Sequence, residues 1–547
     1  MKDVTAKKIL VIGSDSAGIQ SALELANAGN EVYLVDHSPG IGGEGLGASH
    51  DAGFSSSRWQ EVKSHKNIRL IGNVAFDDIK KDNGGFRVKL RKTAARIIEE
   101  KCDSCGECIK VCPVHLWDDC SAGLSLRTGI DFFNTETKAY NLIKERPICE
   151  ETCPVHLDVR GYVGLIADGS FKEAFELIRQ KIIFPATLGR VCPHPCEEKC
   201  NRAYKDKPLC IRDLKRFAAD FGEEEAIPKI QPNGKKVAVI GAGPAGLACA
   251  YDLACAGYAV TIFEALPVAG GMLAVGIPKY RLPRDILNRE IDYVKQLGVE
   301  IKTGVRIGAD IAFEDLCKQG FQAAFIAVGS HKDQKLRVPN EEADGVISGI
   351  EFLRDAALGN PVKMGKRVAI VGGGNVAMDA ARTSLRLGAQ EVIIIYRRTR
   401  DEMPAIPEEI EASLHEGIKI EYLVAPLEVL VQNGRVTGIK CNRMALGEPD
   451  ASGRRRPVPV EGSEFELAID TIIPAIGQAS DISFLPQDNS ITATTWGTVI
   501  ADPKTCATSR PGVFAGGDCV TGPWIAVGAV AAGKDGATAI HHYLNGK

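Results

Sequence analysis

The stretch Lys236–Glu264, KVAVIGAGPAGLACAYDLACAGYAVTIFE, restricts what this chain can fold into more than any other. Val237–Ile240 reads as a buried parallel strand, Gly241, Gly243 and Gly246 make G-x-G-x-x-G, Ala245–Ala256 reads as a helix, and a second strand closes at Glu264. Each glycine has its own task. Gly241 permits the tight turn, Gly243 lets the backbone approach a pyrophosphate, and Gly246 lets helix and strand pack closely. The diphosphate then meets free N–H groups at the helix start. An acid about 20 residues on accepts hydrogen bonds from a ribose. The stretch predicts a dinucleotide site on an α/β domain.

The pattern recurs at Lys366–Arg398, with one change of charge. Val368–Val371 is the strand, Gly372, Gly374 and Ala377 fill G-x-G-x-x-A, and the strand Val392–Tyr396 ends in Arg397 and Arg398 instead of an acid. Guanidinium groups suit a 2′-phosphate, with Arg400 close by, so this loop points to NADPH in preference to NADH. The alternative is that the arginines belong to a solvated loop. Residues 7–36 give a third copy in which Asp15 replaces the middle glycine. A carboxylate there repels a pyrophosphate and blocks close backbone approach, although Asp36 stays at the ribose position. This module is either a degenerate packing or docking unit or a working nucleotide site.

Between and beyond the two intact loops lie features suited to a flat ring. Gly270–Pro283, GGMLAVGIPKYRLP, offers few obstructing side chains around Gly271 and Met272. Residues 321–329 and Thr471–Ile476 read as buried strands. PGVFAGGD from Pro511 brings Gly517 and Asp518 in front of a small-residue helix, Ile525–Ala537. A carboxylate at 518 can bind a ribityl hydroxyl while the helix N-terminus faces the electron-rich edge of a flavin. The first dinucleotide is therefore read as FAD, in a domain split into 233–345 and 477–547 around an inserted NADPH domain at 346–476.

The chain has 547 residues, enough for three or four domains. With 45% hydrophobic and 25% charged residues it is globular, and a net charge of −4 gives no general case for nucleic acid or an anionic membrane surface. The run Arg454–Arg456 reads as a solvated loop. No apolar run approaches the roughly 18 residues needed to span a bilayer, and Met1–Lys8 leads into a strand, which together predict a cytoplasmic protein.

Seventeen cysteines are unusual there, and eleven of them lie between Cys102 and Cys210. Cytosolic thiols stay reduced, so this crowding points to metal ligation, not disulfides. Cys102, Cys105, Cys108 and Cys112, followed by Pro113, have the spacing of a cubane iron–sulfur site, with Cys112 serving either this cluster or another. From about Asn141 to Phe221 the period is helical, as at Val159–Ile166 and Phe171–Ile178, with Cys149, Cys153, Cys192, Cys196, Cys200 and Cys210 at the bends. These thiols allow two or three [4Fe–4S] clusters. Cys249, Cys255, Cys317, Cys441, Cys506 and Cys519 read as small buried side chains. The expected order is a degenerate Rossmann-like module (1–98), a ferredoxin-like segment (99–130), a helical iron–sulfur domain (131–232) and the two Rossmann-like nucleotide domains.

From about Pro147 onward the chain resembles the small subunit of NADPH-dependent glutamate synthase and its relatives. These include the large subunit of the NADH-dependent ferredoxin:NADP oxidoreductase and the N-terminal half of dihydropyrimidine dehydrogenase. The resemblance rests on CxxxCP at Cys149–Pro154, GRVCPHPCEEKC at Gly189–Cys200, LKRF at Leu214–Phe217, GAGPAGL, GGML with GIPKYRLP, GGGNVAMD with YRRTRDEMPA, and AGGD. It implies FAD at Gly241–Glu264 and Asp518, NADPH at Gly372–Arg398 including Asn375, and hydride transfer between nicotinamide and flavin.

Two departures stand out. The CxxC that the family usually carries before Cys149 is absent. Lys215 stands where the family often has a Glu or Gln ligand beside Cys153, Cys192 and Cys196, so either Cys210 substitutes or a cluster is missing. The first 130 residues resemble a shortened HdrA-type flavoprotein subunit of heterodisulfide reductases, through VIGSDSAGIQSALELANAG, SPGIGG, HKNIRLIG, GGFRVKLRK and GLSLR.

These readings converge on an oxidoreductase subunit in which NADPH and FAD exchange a hydride, no side chain acts as acid or base, and single electrons pass through clusters to other redox subunits of a multisubunit complex. Bifurcation at the flavin is not readable from sequence. The alternatives are a glutamate synthase small subunit and, in another class, a non-catalytic electron-transfer scaffold.

Overall fold

A computed structural model divides the chain into two units, Met1–Glu145 and Arg146–Lys547. It describes residues 7–36 except Asp15, residues 58, 61–71, 74–82 and 85–92, four short strands between 115 and 142, and residues 147–546 except 223–226, 228, 451–452, 487 and 489. Cys102, Cys105, Cys108, Cys112 and Asp15 lie outside the described residues.

In the first unit, Lys8–Ile12, Glu31–Val35 and Ile68–Ile71 form a parallel sheet. The helix Ser16–Asn27 covers it with Ile19, Ala22, Leu23 and Ala26, a 3.6-residue apolar stripe. Hairpins follow, the longest pairing Val74–Asp82 with Gly85–Lys92.

The second unit is organised by two parallel sheets. The first runs Glu300–Thr303, Ala259–Glu264, Lys236–Ile240, Ala323–Ile326, Val513–Ala515 in spatial order. Its last strand comes from the far end of the chain. Between its fourth and fifth strands the chain builds a second sheet, Lys419–Tyr422, Glu391–Tyr396, Arg367–Val371, Thr471–Pro474. Both sheets are covered by helices, so their central strands are continuous apolar runs and not alternating ones. Where the chain leaves and re-enters the first domain, Lys332–Asp333 pairs antiparallel with Gln478–Ala479. An antiparallel sheet, Val424–Gln432, Arg435–Pro449, Arg455–Pro459 and Phe465–Leu467, packs Val424, Val429 and Ile439 against Ala369, Val371 and Ile393.

Several sequence expectations are corrected here. The run Arg454–Arg456 is not a free loop, because Arg455 opens a strand and donates to Glu402 Oε1 at 2.7 Å. The C-terminal helix runs Ala526–Leu544, well past Ala537. Its small residues let it lie on the helix Pro244–Cys255: a Cβ on Gly533 would stand 2.2 Å from the Ala245 carbonyl oxygen. Cys249, Cys441, Cys506 and Cys519 are buried as expected, whereas Cys255 and Cys317 are exposed, both on the last turns of their helices.

The cysteine-bearing helices, Ile148–Glu151, Val159–Ala167, Phe171–Arg179, Pro185–Val191, Pro195–Glu198 and Ile211–Phe221, share one core with the first nucleotide domain, from Cys153 and Tyr162 through Leu247 to Val527. Glu290, on the helix Arg284–Gln296, joins them: its carboxylate accepts from Ala186 N at 2.7 Å and Thr187 N at 3.0 Å, capping Pro185–Val191. Beside it the Arg179 guanidinium stacks on Tyr293 at 4.0 Å. Among the described residues no helix is long and apolar enough to cross a membrane.

Burial raises the Glu290 carboxyl from 4.5 to about 7, against the pull of the Thr187 and Ala186 donors. Between those values the folded chain holds the proton that the unfolded chain has lost, so this group's contribution to stability falls as pH rises through that window. The substitution Glu290→Gln keeps an acceptor without the charge. Its apparent melting temperature, relative to the native chain, is expected to climb between about pH 5 and pH 8, and a constant difference across that range contradicts the assignment.

Candidate nucleotide and iron–sulfur sites

At the first loop the three glycines are separated by what surrounds them. Gly241 has φ of +106°, and a Cβ there would meet the Ala327 carbonyl oxygen at 2.4 Å. On Gly246 a Cβ would stand 2.0 Å from the Gly241 carbonyl oxygen, so only glycine lets helix and strand meet. Gly243 is different: its nearest neighbour would be the Gly271 Cα at 4.0 Å, and its backbone is extended. Its open side faces a cleft of about 340 Å³, within the range of small-molecule sites. Gly243 caps the helix without a side chain and Pro244 follows, leaving the first-turn N–H groups for a ligand.

Glu264 lines the same cleft. Its two oxygens accept from Ala242 N at 2.7 Å and Leu266 N at 2.8 Å, which fixes the loop and leaves each oxygen a further lone pair. Burial raises its carboxyl despite those bonds. Gly271, Met272 and Asp518 complete the lining, and burial lifts Asp518 to about 6. Asp518 stands at the start of a one-turn helix after the strand Val513–Ala515, and Gly517 before it has φ of +77°.

The second loop opens into that cleft too. Gly372 has φ of +145° and lies against Ala475, where a Cβ would be 2.2 Å from the carbonyl oxygen. Gly374 has open space, its nearest neighbour being Pro404 Cγ at 3.9 Å, and Ala377 is fully buried. Asn375 and Val376 line the cleft together with Gly243 and Asp518. The Asn375 Oδ1 also accepts from Ile406 N at 3.0 Å.

The arginines after the second strand part company. Arg398 is buried, donating to the Arg455 carbonyl at 2.7 Å and pairing with Asp450 at 2.7 Å. It braces the neighbouring strand and is not turned to solvent. Arg400 pairs with Glu411. Arg397 is exposed and has no ion-pair or hydrogen-bond partner among the described residues.

Arg281, in the GIPKYRLP loop, ties the two nucleotide domains together and was given no role on sequence grounds. Its guanidinium donates to Asp379 Oδ2 at 2.6 Å and pairs with Glu409 at 2.9 Å, both on the second domain. Glu409 also holds Arg382, Glu416 holds Arg382 and Arg386, and the Tyr280 ring lies 4.0 Å from the Arg386 guanidinium. Burial raises Asp379, which lines the cleft, to about 6, with Arg281 opposing, and its buried Oδ1 has no hydrogen-bond partner among the described residues.

The cysteines fall into two neighbourhoods. Cys153, Cys192 and Cys196 are buried and line one cavity with Lys215. Burial, reinforced by Cys192, pushes the Cys196 thiol up to about 12. Cys149 is half-buried beside Cys200, and burial raises its thiol as well. Cys210 is exposed at the start of the helix Ile211–Phe221 and is not among the residues that line this cavity. No three His, Cys, Asp or Glu among the described residues converge on a single ion position.

The cleft and the cysteine cavity are neighbours, which the sequence did not reveal. Val191 and Pro193 line the cleft while Cys192 between them lines the cavity; Ala526 lines the cleft while Val527 lines the cavity.

A family model described as pyridine nucleotide-disulphide oxidoreductase matches residues 235–533, a dihydropyrimidine dehydrogenase domain II, 4Fe-4S cluster model matches 141–227, and a 4Fe-4S binding domain model matches 95–116. The chain is 50% identical over 426 residues to the NADP(+)-dependent formate dehydrogenase subunit beta of Moorella thermoacetica, covering 72% of this chain and 60% of that one. It is 46% identical over 426 residues to the NADPH-Fe(3+) oxidoreductase subunit beta of Geobacter sulfurreducens, covering 72% and 63%. With the small chain of NADPH glutamate synthase from Escherichia coli it shares 36% identity over 423 residues, covering 73% and 89%. The chain thus spans less than two thirds of the length of the first two relatives.

The contrast between Gly243 and Gly246 gives a paired prediction. Gly243→Ala places its methyl in the cleft and is expected to change folding stability by no more than about 0.5 kcal/mol while flavin content falls at least about tenfold. Gly246→Ala is expected to abolish soluble, folded protein. Normal flavin content in the first variant, measured by absorbance after purification, counts against the pyrophosphate role.

Proposed function

The chain belongs to the pyridine nucleotide-disulphide oxidoreductase family, and on that premise we propose that it is an NADPH-dependent flavin and iron–sulfur oxidoreductase subunit. It exchanges a hydride between NADPH and FAD and hands electrons singly to a partner redox subunit through [4Fe–4S] clusters. The observation that carries this reading is the shared cleft: Gly243 and Asp518 from one domain and Asn375 and Val376 from the other face the same space, whose far wall borders the cysteine cavity.

Gly241, Gly243, Gly246 and Glu264 hold the FAD diphosphate and ribose, Gly271 and Met272 border its ring, and Gly517 with Asp518 takes the ribityl chain. Gly372, Gly374, Asn375 and Ala377 receive the NADPH diphosphate, and Arg397 meets its 2′-phosphate, with Arg398 shaping the loop from behind. Cys153, Cys192 and Cys196 hold one cluster, Cys149 and Cys200 contribute to a second, and Cys102, Cys105, Cys108 and Cys112 hold another.

When bound, FAD supplies two-electron exchange with nicotinamide and one-electron exchange with the clusters. The protein's part is positioning. Arg281 holds the two nucleotide domains in one orientation, and Val191, Pro193 and Ile406 give the cleft apolar lining. The partner is a further soluble redox subunit, not nucleic acid or membrane, and the setting is the cytoplasm, where the thiols stay reduced. The likeness to the glutamate synthase small chain supports a second reading, in which the partner is a glutamine-dependent large chain; co-purification with formate-dehydrogenase-like subunits counts against it.

Added anaerobically, NADPH is expected to bleach the flavin absorbance within the turnover time of the enzyme; an unbleached flavin rejects the oxidoreductase reading and favours an inert scaffold. The variant Arg397→Glu is expected to raise the KM for NADPH at least about tenfold more than that for NADH. Equal effects on the two nucleotides remove the phosphate assignment.

A further inference from the structure

The helix Ile211–Phe221 buries Ile211, Lys215, Ala218 and Ala219 as one stripe. A lysine in such a stripe is out of place, since a buried ammonium is costly unless an anion faces it. Lys215 is 5% exposed, and no hydrogen bond or ion pair of its amine is found among the described residues. The cavity that it lines offers Cys153, Cys192 and Cys196, together with His194 and Arg212, and no carboxylate. Glu197, beside Cys196, is engaged elsewhere, accepting from Arg212 N at 2.7 Å and lying 3.5 Å from His194, and it does not line the cavity. The compensating negative charge has to come from the occupant, and a thiolate-bound iron–sulfur cluster provides it.

Resting on the reading of Cys153, Cys192 and Cys196 as cluster ligands, we propose that Lys215 is the outer cation of a three-thiolate cluster. Its ammonium takes the place of a fourth protein ligand and donates hydrogen bonds to the cluster without binding iron. Two consequences follow from charge and donor count alone. The cation favours the more negative, reduced form, so this cluster is easier to reduce than it would be with a neutral side chain at 215. One iron is left without a protein ligand and is open to solvent-derived or added small ligands.

The location gives the charge a purpose. Cys192 lies between Val191 and Pro193, which border the nucleotide cleft, so the cluster that Lys215 makes the better acceptor adjoins that cleft.

The test is a dithionite redox titration of the purified full chain, followed by electron paramagnetic resonance, on the native protein and on Lys215→Met and Lys215→Arg. The signal lost in Cys196→Ser identifies the cluster. In Lys215→Met the ratio of reduced to oxidised cluster at a fixed potential is expected to fall about tenfold, equivalent to about 59 mV for one electron, with iron per chain unchanged. Lys215→Arg is expected to keep the native ratio. Should the methionine variant fail to fold, Lys215→Gln supplies the uncharged comparison. An unshifted ratio in the uncharged variant overturns the proposal. Loss of iron in Lys215→Met and Lys215→Arg alike also overturns it, because the amine is then a ligand. A native chain that carries iron at Cys102–Cys112 but shows no signal dependent on Cys196 refutes the cluster reading itself, a result distinct from either.

Discussion

The turn at Val191–Pro193 is the constraint on which the rest of this unit depends. Cys192 ends the helix Pro185–Val191 in extended conformation, with φ of −66° and ψ of 131°. Val191 and Pro193 face the nucleotide cleft and the thiol faces the cysteine cavity. A three-residue turn thus separates the nucleotide cleft from the cysteine cavity by little more than the thickness of the chain. Its position is fixed at both ends of the helix that leads to it. Glu290 accepts from the first N–H groups, and Gly189 lies so close to the helix Ile211–Phe221 that a Cβ would stand 2.6 Å from the Arg216 Cα.

A second constraint acts across the cleft. Taking Arg281 and Asp379 out of water costs several kcal/mol per ion, and one such pair seldom gains net stability. Here the charges form a continuous chain from Asp379 to Arg386, in which Glu409 is shared by Arg281 and Arg382, and Glu416 by Arg382 and Arg386. Glu409 and Glu416 keep Arg382 and Arg386 within their own domain, whereas the buried Asp379 has its partner, Arg281, only while the two domains hold this orientation. The network therefore acts less as glue than as a registry device, selecting the arrangement in which both glycine loops open into one space.

Much of this was legible in the residues and some of it could not be. The glycines at 241, 246 and 372 could be read because each stands where a single methyl would overlap a carbonyl oxygen, a local requirement that leaves its mark on one position. Asp518 was legible for a similar reason, as an acid held after a glycine turn. The proximity of Val191 to Gly243 and of Cys192 to Val527 was not, because it joins segments separated by long stretches of chain through packing alone. Arg398 shows the opposite error. Next to Arg397 it looked like part of the same cationic pair, but the strand Arg435–Pro449 brings Asp450 back over it, and a partner so distant in sequence carries no local signal.

The three copies of the strand–loop–helix pattern differ in what supports the glycine loop. In the first copy Asp36 uses one oxygen for both the amide and the hydroxyl of Ser14, at 2.7 and 2.6 Å. In the second the longer Glu264 reaches Ala242 N and Leu266 N with separate oxygens. The acid in these copies steadies the glycine loop before it does anything for a ligand. In the third copy that task has moved: the Tyr396 ring lies where a Cβ on Gly373 would be 2.5 Å away, and its hydroxyl donates to the Glu402 carbonyl at 2.6 Å. Tyr396 occupies the acid's own position, since Gly372 N bonds to Ile395 O as Gly241 N does to Phe263 O, and Arg397 is the exposed residue after it, which the loop does not use for support. It is free to be a cation in solvent, which is the property a nucleotide with an extra phosphate requires.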